Sequence, residues 1–191
     1  VTDRRRSSQQ GGKVFSFHQK VFQKVFLFHI DHRDKYEGGK RMNIQKFTQK
    51  SVEAINDCEK LAYEYGNQEI EQEHLLVALL RQEDGLIPKL IEKMEIQKEH
   101  FVDNAERHLA VRVKVSGGQV YVGQDLNKVL VHAEDEAKAM GDEYVSVEHL
   151  FLCLIKYPNK AMKEIFKEYG ITRERFLQAL STVRGNQRVV S

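Results

Sequence analysis

The chain has 191 residues, a mass of 22.2 kDa and a formal net charge of +2. This balance excludes a strongly basic nucleic-acid-binding protein and an acidic disordered tail. Apolar residues make up 41% of the chain, enough to bury a core, and the presence of only 2 prolines favours a helical fold. Cys58 and Cys153 are too few for a disulfide framework, so we expect a reduced, cytoplasmic protein.

The near-neutral total hides an uneven distribution of charge. Residues 1–41 contain ten basic and four acidic residues, a net charge of +6, which leaves −4 for the other 150 residues. Lys20 and Lys24 interrupt the apolar stretch Val14–Ile30, which argues against a membrane span. Two interpretations stay open: a basic targeting or membrane-surface segment, and a leader or upstream sequence preceding a start at Met42. We favour the leader and expect limited proteolysis to remove these residues first.

From Met42 onward the sequence is a tandem repeat with an offset of 75 residues. The offset aligns Glu59–Phe101 with Glu134–Phe176 without a gap, and the tripeptide Glu-His-Leu occurs in both copies. Self-similarity of this length is typical of a repeat architecture in which neighbouring units share one core. We therefore expect neither repeat to be stable alone.

Periodic apolar positions, capping residues and terminating glycines divide the first repeat into four helices. The second of these should be buried, because residues 75–80 are apolar nearly all round. The predicted helices run from the cap Thr48 to about Tyr65, through His74–Leu80, over Leu86–Met94, and from about Gln97 past Leu109.

The second repeat is predicted to follow the same plan after a loop over 114–123, with no strand of useful length. Its helices are capped by Asp125, Ser146 and Thr172. They span Asp125–Met140, Val147–Lys156, Ala161–Tyr169 and Arg173–Arg184. The predicted fold class is all-α, a pseudo-twofold tandem repeat of two four-helix units with about eight helices. Repeat one covers 47–113, repeat two covers 124–184, and a linker starts at 185–191.

Little in the sequence indicates catalysis. It contains no G-x-x-x-x-G-K-[ST] phosphate loop, G-x-S-x-G elbow or C-x-x-C pair. His74 and His149 lack the second histidine of a zinc helix. They could act as acid–base groups of a hydrolase, but we favour packing at helix starts and expect their replacement to reduce stability. Cys58 and Cys153 are predicted to be core thiols, and the acidic run Glu134–Glu136 a solvated helix face.

Binding is a better-supported function than catalysis. A helical domain of two units with an apolar interior often leaves a groove between the units, and such grooves take extended or helical peptides. We therefore expect a peptide-binding groove between the repeats.

The residues from Met42 to Ser191 resemble the N-terminal domain of the Clp ATPase family, in which two Clp repeats each begin a central helix with Glu-His-Leu. Within this family the similarity is greatest to the ClpB-like disaggregases, and the ClpC- or ClpA-like type is the alternative. The segments that carry the resemblance are MNIQKFTQKS at 42–51, QEDGLIP at 82–88, GDEYVSVEHL at 141–150 and VRGNQRV at 183–189.

The resemblance implies a non-catalytic domain that recruits unfolded or aggregated proteins to a hexameric AAA+ ATPase working with the DnaK chaperone system. ATP and Mg would bind in downstream modules, and we expect no cofactor, metal, nucleic acid or membrane for this part, which should be monomeric in isolation. The family's substrate contacts correspond to Thr48, Asp142 and Glu148. The alternative function is adaptor docking in a protease-linked Clp ATPase.

Overall fold

A computed structural model describes residues 42–185 of the chain. The leader expected over 1–41, with its apolar stretch Val14–Ile30, lies outside the described residues, as do all but the first residue of the linker expected over 185–191.

Eight α-helices in two sets of four make up most of the described residues, which confirms the predicted all-α fold class. A short 3₁₀ helix at Ile44–Lys46 precedes the first α-helix. The helices are α1 (Gln49–Tyr65), α2 (Gln72–Arg81), α3 (Leu86–Lys93), α4 (Lys98–Ala110), α5 (Gln124–Ala139), α6 (Val147–Lys156), α7 (Lys160–Glu168) and α8 (Arg173–Arg184).

The first helices of the two repeats begin differently. Thr48 is the N-cap of α1, as predicted, and its hydroxyl accepts a hydrogen bond from the backbone amide of Ser51 at 3.3 Å. The prediction that Asp125 caps α5 is wrong, because α5 begins at Gln124 with Gly123 as its N-cap and no capping side chain of its own. Asp125 lies in the first turn, and a carboxylate from the other repeat takes over the capping role.

Two short parallel contacts join the repeats. Strand β1 (Glu69–Ile70) pairs with β2 (Tyr121–Val122), and Phe47 forms an isolated bridge with Val145. Residues 121 and 122 belong to the segment predicted as a loop. A strand of two residues is too short to leave an alternating pattern in the sequence, so this pairing was not predictable from periodicity.

The two contacts are copies of each other. Adding the repeat offset of 75 to Phe47 and Ile70 gives Val122 and Val145, the partners in the two bridges. The start of each repeat's first helix therefore lies beside the start of the other repeat's central helix. This exchange about a pseudo-twofold axis explains how the repeats share one core.

The central helices α2 and α6 carry the largest part of the core. Their residues 75–79 and 150–154 are at most 2% exposed, which confirms that the predicted apolar helices are buried. The ring of Phe151 stacks on that of Phe176 with centroids 4.6 Å apart. Cys58 and Cys153 lie in the same core, as predicted. Within residues 42–185 no helix is both long enough and apolar enough to cross a bilayer.

Candidate functional site

His149 caps the N-terminus of α6 from a position inside its first turn. Its Nδ1 accepts a hydrogen bond from the backbone amide of Ser146 at 2.8 Å, which completes a capping box, and its Nε2 lies 2.7 Å from Oδ2 of Asp142. Because Nδ1 is an acceptor, the proton of the ring is on Nε2 and is donated to the carboxylate. The side chain is fully buried and both ring nitrogens are bonded within the protein.

His74 makes the same arrangement at the start of α2. Its Nδ1 accepts a hydrogen bond from the amide of Glu71 at 2.9 Å, and its Nε2 lies 3.0 Å from Oδ1 of Asn67. Burial, with the positive charge of Arg112, lowers the pKa of His74 to about 3, so the ring is neutral. Both histidines pack at helix starts, as we favoured, and the hydrolase alternative has no unbonded ring nitrogen to use.

The three residues predicted to bind substrate surround the start of α6. The amide of Thr48 donates to the carbonyl of Val145 at 2.8 Å, while Asp142 and Glu148 both contact Arg184 at the end of α8. Asp142 and Glu148 are only 5% and 2% exposed. Thr48 is half-buried and the two carboxylates lie beneath the surface, so the acids position Arg184 and the helix start. Their role in substrate binding stays a prediction. We call the group formed by Thr48, Asp142, Val145, Glu148 and Arg184 the α6 site.

Sequence reasoning missed Arg184, whose Nη1 lies 3.5 Å from Oε1 of Glu148. The segment VRGNQRV contains Arg184, but nothing in it indicates contact with a carboxylate 36 residues earlier in the chain. The repeat supplies a signal, because Arg112 follows the last helix of the first repeat and its Nη1 lies 2.5 Å from Oε2 of Glu73. In both repeats an arginine near the end of the fourth helix, Arg184 as its last residue and Arg112 two residues beyond it, binds the Glu of Glu-His-Leu.

Glu71 caps two helices at once. Its Oε2 accepts hydrogen bonds from the amides of Gln72 at 3.0 Å and Leu126 at 3.1 Å, and its Oε1 accepts one from Asp125 at 3.3 Å. Burial raises the pKa of this carboxyl to about 7, against the opposing effect of the Gln72 amide. Glu71 therefore supplies the cap that α5 lacks, and it ties the repeats together.

The acidic run on α5 differs from its prediction. A solvated face was expected for Glu134–Glu136, but Glu136 is 4% exposed. Both of its carboxylate oxygens accept hydrogen bonds from the guanidinium of Arg173 at 3.0 Å. The prediction is wrong for Glu136 because helix α8, which no local pattern places against α5, brings a bidentate partner.

A cleft of about 460 Å³ lies between the repeats at the start of α2, where a groove between the units was predicted. A second cleft of about 350 Å³ adjoins it, and Glu69, Val111 and Arg112 line both. The larger cleft is also lined by Glu71, Glu73, His108, Asp125, Asn159, Lys160, Ala161 and Glu164, and the smaller by Asn67, Gln68, Val113, Val115 and Tyr121. In the part of the chain that the structure describes, no cluster of His, Cys, Asp or Glu could hold a metal ion.

Two pseudo-symmetric four-helix repeats, each with a histidine capping box at its central helix, define a class of double-repeat helical domains. The chain belongs to the family of Clp repeat (R) N-terminal domains, whose sequence model matches residues 46–169. The family resemblance expected from the repeat and its motifs is thereby confirmed.

Among curated proteins, the chain is similar to the chaperone protein ClpB of Nitratidesulfovibrio vulgaris, with 45% identity over 156 residues. It is 39% identical over 153 residues to ClpB of Clostridium tetani. Each match covers 78% of this chain and 18% of the relative, so the chain spans under a fifth of the length of these proteins.

Solved structures show the same fold. The N-terminal domain of Hsp104 from Candida albicans has a TM-score of 0.68 at 24% identity, covering 76% of this chain and 96% of that one. A complex of the ClpV N-domain with a VipB peptide has a TM-score of 0.60 at 18% identity, covering 75% and 90%. The second structure contains a peptide bound by that domain.

Proposed function

We propose that this domain recruits unfolded or aggregated polypeptide to a hexameric AAA+ ATPase of the ClpB type. Membership of the Clp N-terminal family and similarity to ClpB chaperones support this assignment. The domain itself is non-catalytic, monomeric and cytoplasmic, and the DnaK system is a partner of the complete ATPase. ATP and Mg bind in modules outside this chain, whose sequence has no phosphate loop.

The observation that carries the proposal is the meeting of Thr48, Asp142 and Glu148 at the α6 site. Buried carboxylates hold Arg184 in place there, and the neighbouring Val183 is 42% exposed. Met42 and Ile44, on the segment that leads to Thr48, are half-buried and pack against the core. The exposed side chain of Val183, with Met42 and Ile44 partly accessible, offers apolar surface that suits the apolar side chains of an unfolded segment.

Binding of a permanently unfolded protein tests the proposal. We expect the full chain to bind fluorescent, reduced and carboxymethylated α-lactalbumin, and Val183→Ser to weaken the binding several-fold without changing the melting temperature. Tyr63→Ser is the matched control, because Tyr63 is 60% exposed on α1. No binding by the wild type, or equal losses from both substitutions, would contradict the proposal.

Adaptor docking, as in a protease-linked Clp ATPase, is less well supported because the relatives reported above are ClpB chaperones. The same assay separates the two functions. Capture of a peptidase-linked adaptor by a chain with no affinity for the unfolded protein would favour docking.

A further inference from the structure

The start of α2 reproduces the backbone of the α6 site with different side chains. The amide of Gly123 donates to the carbonyl of Ile70 at 2.8 Å, just as Thr48 does to its partner at the α6 site. By the repeat offset, Gly123 replaces Thr48, Asn67 replaces Asp142 and Glu73 replaces Glu148. The repeat thus presents the same scaffold twice.

The copy at α2 opens into the cleft between the repeats. Five acidic side chains line this cleft against two permanent cations, Arg112 and Lys160, and one histidine, and burial raises the pKa of one of the five, Glu71, to about 7. Arg112 is already engaged, at 2.5 Å from Glu73 and 3.5 Å from Glu69. The excess negative charge favours a ligand that carries positive charge. The five carboxylates are those of Glu69, Glu71, Glu73, Asp125 and Glu164.

The accessible carboxylates are distributed around the cleft, where Glu69 lies 3.5 Å from Arg112 and Glu164 lies 3.5 Å from Nε2 of His108. The side chains of Glu69 and Glu164 are 43% and 56% exposed, and Asp125 is exposed in the first turn of α5. Glu69 belongs to the first repeat, whereas Asp125 and Glu164 belong to the second. A single cationic side chain entering the cleft would therefore be attracted by both repeats.

An apolar rim adjoins these charges. Val111 and Val113 are 82% and 80% exposed at the end of α4, and Val115 is 44% exposed. Val111 lines both clefts, and the other two valines line the smaller one. Adjacent exposed valines beside a cavity are typical of a surface that is covered when a partner binds.

We propose that the cleft at the start of α2 is a second docking site for unfolded polypeptide. It takes an extended segment whose Lys or Arg side chain lies among Glu69, Asp125 and Glu164 while apolar neighbours cover Val111 and Val113. The nature of the occupant rests on the proposed function, and its basic and apolar character follows from the charges and valines of the cleft. The domain then holds polypeptide at two places related by its pseudo-twofold axis, with basic-apolar segments preferred at one.

Two labelled unstructured peptides of equal length test the proposal. The first contains Val and Lys residues separated by Ser, and the second is identical except that Glu replaces each Lys. We expect the Lys peptide to bind the full chain and to lose about fivefold in affinity with Glu69→Gln plus Glu164→Gln. Val111→Ser plus Val113→Ser should weaken the binding of both peptides. Glu83→Gln plus Glu174→Gln is the matched charge control, because both glutamates are exposed away from the cleft.

The outcomes separate this inference from the proposed function. If the unfolded protein binds and Val183→Ser weakens it, but the cleft variants leave Lys-peptide binding unchanged, the second site is overturned and the first is retained. If the wild type binds neither peptide nor unfolded protein, both are overturned. A concentration-dependent dimer that the cleft substitutions dissociate would assign the cleft to a second copy of the chain, which also overturns the proposal.

Discussion

Gly123 lies so close to Glu71 that a Cβ atom at its position would be 1.8 Å from Oε1 of the carboxylate. By the repeat offset, Gly123 corresponds to Thr48 and Glu71 corresponds to Ser146. At the second contact the first residue is therefore larger and the second is smaller. At one inter-repeat contact a long side chain crosses to cap the neighbouring helix, and at the other the helix caps itself. The two contacts thus share one backbone arrangement but cap the first helix of each repeat with different side chains.

Removing the Glu71 carboxylate should destabilise the whole domain. Glu71→Ala leaves helix-start amides of both α2 and α5 without their acceptor, and we expect a loss of about 2–3 kcal/mol in the free energy of unfolding. Glu71→Gln keeps an acceptor of similar shape and should cost less. Urea unfolding followed by circular dichroism measures both, with the exposed Glu83→Gln as control. A Glu71→Ala variant as stable as that control would show that Glu71 does not join the repeats.

Replacing the Gly123–Glu71 pair by the residues of the Thr48–Ser146 pair tests whether the two capping arrangements are interchangeable. Gly123→Thr alone should destabilise the domain, because its side chain collides with Glu71. Combining it with Glu71→Ser recreates the Thr48–Ser146 pair and should recover a large part of the loss. A double-mutant cycle of thermal unfolding measures the coupling, and additive effects would contradict the steric explanation.

Glu71 and His74 should give opposite contributions to the pH dependence of stability. The pKa of His74 is lowered to about 3, so between pH 3 and 6.5 only the unfolded state binds this proton, and its contribution to stability rises with pH. The pKa of Glu71 is raised to about 7 from 4.5, so over that interval the folded state keeps a proton that the unfolded state loses. Its contribution to stability therefore falls with pH.

Glu71→Gln should separate these two effects. The difference in free energy of unfolding, variant minus wild type, is expected to increase from pH 4.5 to 7, since only the wild type loses stability through Glu71. Urea unfolding at several pH values in this range measures it. Glu83→Gln should show no such trend, and a constant difference for Glu71→Gln would show that its carboxyl has the same pKa in both states.

The sequence predicted what is local and missed what depends on distant partners. Thr48 and the buried central helices follow from capping chemistry and periodicity within a few residues. The assignment of the α5 cap to Asp125 failed because Glu71, 54 residues away, supplies the acceptor. Glu136 was misjudged for the same reason, since its partner Arg173 lies on another helix.

Loss of Arg184 should expose the cost of the buried acids at the α6 site. Asp142 and Glu148 are almost fully buried, so Arg184→Ala removes the contact of this guanidinium with both carboxylates, and we expect about 2–3 kcal/mol of destabilisation. Adding Glu148→Gln should restore part of it by removing one buried charge. Lys138→Ala is the control, because Lys138 forms an exposed ion pair with Glu134. An Arg184→Ala variant no less stable than the control would contradict the positioning role of the acids.

The two thiols should report on opening of the shared core. Burial raises the pKa of Cys153 to about 12 and that of Cys58 further, and the Cys58 thiol donates to the carbonyl of Ala54 at 3.3 Å. Both thiols are therefore unreactive at neutral pH in the folded state. We expect Ellman's reagent to modify neither thiol until urea unfolds the domain. Both should then react at one common rate, because Cys58 on α1 and Cys153 on α6 belong to the same core. Glu71→Ala should accelerate both modifications together. Early reaction of one thiol alone would show that the repeats open independently.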